Sequence, residues 1–362
     1  MMETIIEQVL TKIESNGFEA YIVGGYVRDL YLGISSTDID IATNALPKDL
    51  IKIFTDGIIS NESYGSFRLI KGKFLFDIMS YREEFNYVNR KPTKIIYVNN
   101  LLTDLNRRDF TINSLCMNSK GEVIDLLGGI NDIENRLVKV IGNPEIKLKE
   151  DPLRIIRALR FSIILNFKLD PEIIKYTKKY IKLIKTLSYD RKKEELEKIF
   201  ISPNVVQGLQ FMKDLKVLDS LEVSYANIVA VDNICGMWSQ LEYCPRYNFT
   251  KNEMEQINII RQIIKCGKID NNTLYDYGLY LNNVAGKIMG VSSTKIIKQF
   301  NKLPIKSVSE INIKATEIIE TLNIKPCDII KKIYADLKIK IINNELKNEK
   351  EVIINYIKGK KW

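Results

Sequence analysis

Apolar residues Ile5, Ile6, Val9, Leu10 and Ile13 recur at helical spacing and predict a helix within residues 1–20. A short apolar run at 20–23 then meets Gly24-Gly25, a strand running into a turn. Residues 38–42, DIDIA, alternate with period two and predict a strand. So do 67–70 and 73–79, with Gly72 turning between them. The stretch 81–94, YREEFNYVNRKPTK, is polar around Pro92 and predicts a mobile loop, after which 95–98 (IIYV) returns as a strand. Beyond Gly142-Asn143-Pro144 the strand signals fade. Helical periodicity then predicts helices at 151–166, 171–186, 190–200, 204–216, 251–266, 293–302, 307–322, 325–346 and 349–358. The expected fold is an α+β head, a mixed sheet with helices, followed by an all-α remainder.

A chain of 362 residues exceeds one compact core and predicts two or more domains. No apolar run reaches the roughly 18 residues that span a bilayer. The start, MMETIIEQVL, carries acids early and lacks the basic-then-apolar layout of a signal peptide, so a cytoplasmic location is expected. Five scattered cysteines (Cys116, Cys235, Cys244, Cys266, Cys327) without a CxxC pair support neither a zinc ribbon nor a disulfide framework. The absence of histidine decides more. It removes Ser-His-Asp and Cys-His catalysis, HExxH zinc sites and His-dependent phosphohydrolase sites. Acid–base and metal chemistry fall to other side chains, and oxygen ligands point to a hard cation such as Mg²⁺. The net charge of +9 is uneven: −3 over 1–140, +6 over 141–200, −1 over 201–290 and +7 over 291–362. Two basic segments around a near-neutral one suit a phosphate-backbone partner, although Lys-rich helix faces can also be merely solvated.

Three blocks carry candidate chemistry. In the first, Gly24 and Gly25 follow a strand, so backbone N–H groups can approach a polyphosphate with no Cβ in the way. Arg28 can pair with phosphate oxygens bidentately. Asp38 and Asp40, two apart on a strand, point to one face, where their repulsion is relieved by a cation or, at an exposed edge, by water. Mg²⁺ between them could activate an attacking hydroxyl and neutralise a leaving pyrophosphate. Asp77 interrupts a second apolar strand and is a candidate third carboxylate, as ligand or general base.

The second block is Arg107-Arg108-Asp109-Phe110-Thr111-Ile112-Asn113. Arg108 can hold triphosphate oxygens, and Asp109 or Asn113 can meet a ribose hydroxyl. The plainer alternative is a helix start with a local Arg–Asp pair. The third block runs from Glu150 to Phe161. Pro152 suits a helix first turn, which makes Asp151 an N-cap in the structural reading. Arg154, Arg157 and Arg160 lie three apart near one helix face and call for anionic partners. Cytosine and adenine both present an amino donor beside a ring-nitrogen acceptor. A carboxylate and a guanidinium, Asp151 and Arg154, complement both, whereas guanine and uracil set like against like at about 1–3 kcal/mol per unpaired group.

Together these blocks resemble the class II nucleotidyltransferases of the polymerase β superfamily: bacterial CCA-adding enzymes and their poly(A) polymerase relatives. The matching stretches are VGGYVRDLYLGISSTDIDIAT (23–43), RRDFTINSL (107–115), DLLGGINDIENRLVKVIGNP (125–144), EDPLRIIRALRF (150–161) and RKKEELEKIF (191–200). The resemblance implies a polymerase β-like palm as head (1–140), a helical neck with the base template (141–203), a body (204–290) and a tRNA-binding tail (291–362). It implies that Asp38 and Asp40 hold Mg²⁺ and that Gly25, Arg28 and Arg108 contact the nucleotide. Asp151 and Arg154 become the protein template, with Arg157 and Arg160 on further nucleotide-binding positions. The implied reaction is attack of a tRNA 3′-hydroxyl on the α-phosphate of CTP, twice, then of ATP. Asp77 departs from the glutamate of many relatives, which shortens its reach. A shortish chain without histidine leads to the expectation that the phosphohydrolase extension of some relatives is lacking, and the polar stretch 81–94 favours full CCA over CC-only addition. Alternatives are a poly(A) polymerase or partial adder and, more remotely, a non-catalytic RNA-binding protein that kept the fold.

Overall fold

The computed structural model describes residues 4–88, 90–325 and 328–362. Asn89 of the polar stretch, Cys327 and the first part of the helix expected from 325 lie outside the fully described residues. The N-terminal helix is α1 (Thr4–Glu14), which buries Ile6, Val9, Leu10 and Ile13. Then come β1 (Ala20–Val23), α2 (Gly25–Tyr31), β2 (Asp38–Thr43), α3 (Pro47–Ile53), β3 (Ile58–Asn61), β4 (Ser66–Lys71), β5 (Phe74–Ser80), β6 (Arg82–Val88), β7 (Lys91–Tyr97), α4 (Leu101–Asn106), β8 (Cys116–Met117) and β9 (Val123–Ile124).

Seven strands form one mixed sheet in the order β3-β4-β5-β2-β1-β8-β9. The β2–β5 pairing is parallel and sets Asp40 beside Asp77. Because side chains alternate across a strand, Ile39 and Ile41 are buried on one face of β2 while Asp38 and Asp40 open on the other.

The expected loop at 81–94 is instead a hairpin, β6 paired antiparallel with β7. Polarity misleads here because the hairpin's buried side chains are matched by charge rather than by an apolar layer. Arg82 is buried and pairs with Glu84 at 2.7 Å, and Glu84 also meets Arg107. A two-stranded ribbon has only edge strands, which tolerate Pro92.

The chain continues through α5 (Gly129–Glu134), β10 (Leu137–Val138), α6 (Pro144–Glu150), α7 (Leu153–Leu165), β11 (Lys168–Leu169), α8 (Pro171–Tyr180), α9 (Tyr189–Phe200), α10 (Val205–Asp214) and α11 (Val217–Leu221). Asn143 and Asp170 cap α6 and α8 through their side-chain oxygens. The helix expected over 171–186 divides into α8 and a 3₁₀ turn, Ile181–Thr186.

Met1–Glu222 form one compact unit and Val223–Trp362 another. The second unit holds β12 (Val223–Ser224), α12 (Ile234–Ser239), β13 (Glu242–Tyr243), α13 (Lys251–Cys266), α14 (Asn271–Ile288), α15 (Ser293–Asn301), α16 (Ala315–Leu322), α17 (Asp328–Ile342) and α18 (Lys350–Lys358). Its core is built from residues such as Leu274, Ile296, Ile318, Leu337 and Ile353. Sequence periodicity misses α14, which kinks at Gly278 (φ 71°). The Asn282 amide spans that break, donating to the carbonyls of Thr273 and Gly278. The helix expected over 307–322 is reduced to α16 behind a 3₁₀ turn, Val308–Glu310. Among the described residues Cys116, Cys235, Cys244 and Cys266 form no disulfide, and no helix is long and apolar enough to cross a membrane.

Candidate active site

A cleft of about 660 Å³ opens in the first unit, over the carboxylate face of β2. Gly24, Gly25, Arg28, Asp38, Asp40, Arg108, Asp109, Asn113, Asp151, Arg154, Arg157 and Arg160 all line it. They come from the β1–α2 turn, β2, the segment after α4, and α7 with the residue before it. Gly24 takes φ 81°, a conformation that costs glycine nothing. A Cβ there would lie 3.5 Å from an Asp40 oxygen and 3.8 Å from Arg108, so the turn runs directly beside both charges.

Desolvation raises the pKa of Asp40, and the charges of Asp77 and Asp38 add to the rise against the opposing Arg108. Burial is the main cause of the rise, and the two neighbouring carboxylates add a smaller share. Asp77 is in register but does not line the cleft. Its carboxylate accepts from Arg68 at 2.9 Å. Among the described residues no three acids or thiols converge into a closed metal cluster, and what converges is the pair Asp38 and Asp40.

Behind the pair lies a chain of charges. Buried Asp104 accepts from Arg107 at 2.8 Å, from Arg108 at 3.1 Å and from the Arg82 backbone N–H. Burial pushes Asp104 up, but the two guanidinium groups outweigh it and hold the carboxyl below its usual range. Arg108 is thereby aimed, and its Nε stays buried with no hydrogen-bond partner. Such an unspent donor is costly unless a ligand meets it.

Asp109 accepts from Arg157 Nε at 2.8 Å, from Asn113 at 3.1 Å and from the Phe110 N–H. Asn113 in turn accepts from Arg28 at 2.5 Å. Asp109 and Asn113 thus orient Arg157 and Arg28 while themselves lining the cleft. Arg160 meets Glu195 at 3.0 Å. The guanidinium groups of Arg28, Arg157 and Arg160 all lie 4.4–5.6 Å from the Phe161 ring centroid.

Burial alone would raise Asp109, yet Arg157 and Asn113 bring its pKa down to about 2. A depressed carboxylate stabilises the fold above its unfolded pKa near 4, and the contribution vanishes as pH falls through 2. Asp109→Asn is expected to lose about 2 kcal/mol at neutral pH and to flatten the fall in urea midpoint between pH 4 and pH 2. An unchanged wild-type slope in the variant would refute the assignment.

Asp151 closes α6 and also caps α7, because its backbone is extended (φ −133°, ψ 94°) ahead of an already helical Pro152 (φ −61°, ψ −16°). Its Oδ1 accepts from the Leu153 N–H at 3.1 Å and from Arg90 at 2.5 Å. Arg154 donates through NH2 to the Arg107 carbonyl, while its NH1 is buried and unpartnered. The sequence reading missed Arg90, Tyr87, Glu84 and Arg82, which line the same cleft from the hairpin. Asn86 at φ 54° interrupts the pleat, and the Tyr87 hydroxyl donates to Glu84. The polar–aromatic alternation of Glu84, Phe85, Asn86 and Tyr87 was the available signal.

Three family models match. "Poly A polymerase head domain" covers residues 20–139, "Probable RNA and SrmB- binding site of polymerase A" covers 166–224, and "tRNA nucleotidyltransferase domain 2" covers 238–357. The chain is 30% identical to the CCA-adding enzyme of Ligilactobacillus salivarius (strain UCC118), over 97% of this chain and 95% of that protein. It is 31% identical to the CCA-adding enzyme of Limosilactobacillus reuteri (strain DSM 20016), over 96% and 94%. Among solved structures, the Bacillus stearothermophilus CCA-adding enzyme in complex with CTP is similar in fold. The TM-score is 0.82 at 23% identity, covering 98% of this chain and 97% of that one.

Proposed function

From the premise that the chain belongs to the CCA-adding family of nucleotidyltransferases, we propose that it completes the 3′ end of tRNA with C, C and A, using CTP and ATP without a nucleic-acid template. The observation that carries this reading is the meeting, in one cleft, of a carboxylate pair and an acid–guanidinium couple, each beside an unspent buried donor. Relatives whose names and structures refer to CTP, ATP and tRNA-CCA support the substrate choice. The work is cytoplasmic, with head, neck, body and tail at 1–140, 141–203, 204–290 and 291–362.

The oxygen donors of Asp38 and Asp40 fit Mg²⁺, whose charge relieves the crowding felt by Asp40. When bound, it supplies Lewis-acid polarisation of the α-phosphate and lowers the pKa of the attacking hydroxyl. Arg108 and Arg28 hold triphosphate oxygens, and the backbone at Gly24 and Gly25 lets the chain approach them. Asp77 lies outside the cleft lining but in register with Asp40, and on turning from Arg68 it would reach the site as third carboxylate and take the proton of the 3′-hydroxyl as pyrophosphate leaves the α-phosphate. Arg154 NH1 donates to the ring nitrogen of C or A, and Asp151 accepts from the exocyclic amine as the base displaces Arg90.

The test is incubation with tRNA ending before, within and after CCA, each with single nucleotides. Two C additions followed by one A are expected, with no extension of a complete end. The head match to a poly(A) polymerase model keeps a second outcome open. Long A tracts without CTP incorporation would replace this reading.

A further inference from the structure

Outside the cleft, the neck carries a surface the chemistry above does not use. Residues 175–185, KYTKKYIKLIK, contain five lysines, all exposed. Among the described residues only Lys179 of these meets an acid, Glu145 at 2.6 Å. Interleaved with them, the rings of Tyr176 and Tyr180 stack with centroids 6.4 Å apart and planes 18° from parallel. Lys175 and Lys179 lie over those rings at 4.8 and 5.4 Å. The Tyr180 hydroxyl donates to Glu145 at 2.8 Å, which holds the ring plane.

Tyr180 also walls a cavity of about 680 Å³, half-apolar through Leu183, Ile146 and Pro152. Tyr87 and Arg90 of the β6–β7 hairpin also line it, and both residues line the active-site cleft as well. The cavity therefore adjoins the place where the 3′ end reacts.

Resting on the function proposed above, we propose that this cavity is a subsite for an unpaired base of the RNA strand being extended. The base lies against Tyr180, and the phosphates flanking it lie against the lysines of 175–185. A duplex hides its base faces inside the stack, so an aromatic platform serves only unpaired nucleotides. The unpaired part of the substrate is the 3′ end, and the cavity shares Tyr87 and Arg90 with the cleft in which that end reacts. Uncompensated lysines give the surface its affinity for phosphate. The free nucleoside triphosphate occupies the cleft itself and does not need the cavity.

Steady-state kinetics of Tyr180→Ala, Tyr180→Phe and the triple variant Lys178→Gln/Lys182→Gln/Lys185→Gln test the subsite, with RNA and CTP varied separately. Tyr180→Ala should raise KM for RNA about tenfold, the usual scale of a lost base–aromatic stack, and leave KM for CTP unchanged. Tyr180→Phe keeps the ring and loses only the Glu145 hydrogen bond, so its KM for RNA should stay within about twofold of wild type. The triple variant should lower the salt dependence of RNA binding by about two in slope. In parallel, anisotropy titrations compare a duplex with an unpaired 3′ tail against a blunt duplex. Only the tailed RNA should bind more weakly to Tyr180→Ala. This arm reads the subsite even if the wild type adds no nucleotide, a result that would overturn the proposed function alone. Equal loss for tailed and blunt RNA, a parallel rise in KM for CTP, or a Phe variant as impaired as Ala would each overturn the subsite.

Discussion

Asp40→Asn is expected to reduce nucleotide addition by roughly a thousand-fold or more. The substitution keeps the shape of the side chain and removes the charge that crowds the β2 face beside Asp38 and Asp77. Stabilisation of the transferring phosphoryl group by a carboxylate-held cation is worth several kcal/mol, and each 1.36 kcal/mol is tenfold in rate. Asp38→Asn should behave alike. Filter binding should show tRNA affinity within about twofold of wild type, because neither residue belongs to the basic surfaces. The fold should survive as well: Asp38 and Asp40 open on the cleft face, and the buried Ile39 and Ile41 hold the strand from the other side. Residual activity within tenfold of wild type in either variant would remove these residues from the metal site.

The second large effect concerns which base is chosen. With Asp151→Ala, kcat/KM for CTP and ATP should fall about a hundred-fold, and the preference over UTP and GTP should shrink by a similar factor. Each unpaired buried polar group costs about 1–3 kcal/mol, and the discrimination rests on two such groups. Asp151→Asn is the sharper probe. Its amide can donate to the carbonyl that U and G present, so relative UTP use should rise above that of the Ala variant. Arg154→Ala should lose selection too, and with it the brace to the Arg107 carbonyl. Single-nucleotide incorporation with all four triphosphates measures the ratios. An unchanged C-plus-A to G-plus-U ratio in Asp151→Asn would end the idea of a protein template at this position.

The Arg90–Asp151 pair bears on both results. In this arrangement the reading carboxylate is engaged by a residue of the hairpin, so a base must compete with a guanidinium for the same oxygen. Asp151→Ala removes that competition along with the acceptor. A drop in CTP use despite a vacated site is therefore the informative outcome.

Local chemistry made much of this protein legible in one dimension. The period-two run DIDIA set Asp38 and Asp40 on one face, because side-chain direction along a strand depends only on parity. Gly24 could be expected at a tight turn, since few other residues adopt φ 81°. The long amphipathic helices were visible because they bury one stripe against neighbours. Motifs in series then identified the family, and with it residues scattered from Gly24 to Arg160 as members of one site.

What the chain order alone left undecided is how charges are spent. That Asp109 and Asn113 serve Arg157 and Arg28, that Asp104 steers Arg108, and that Asp77 answers to Arg68 are facts of proximity between distant segments. The hairpin at 82–97 was hidden for the same reason. Its polar groups are stable there only because Asp104, Arg107 and Asp151 wait across space to receive the Arg82 backbone N–H, Glu84 and Arg90. Periodicity records how a segment meets apolar surroundings. It carries no record of which buried charge will find which partner, because that pairing exists only once the sheet and the neck helices bring the partners within hydrogen-bond reach.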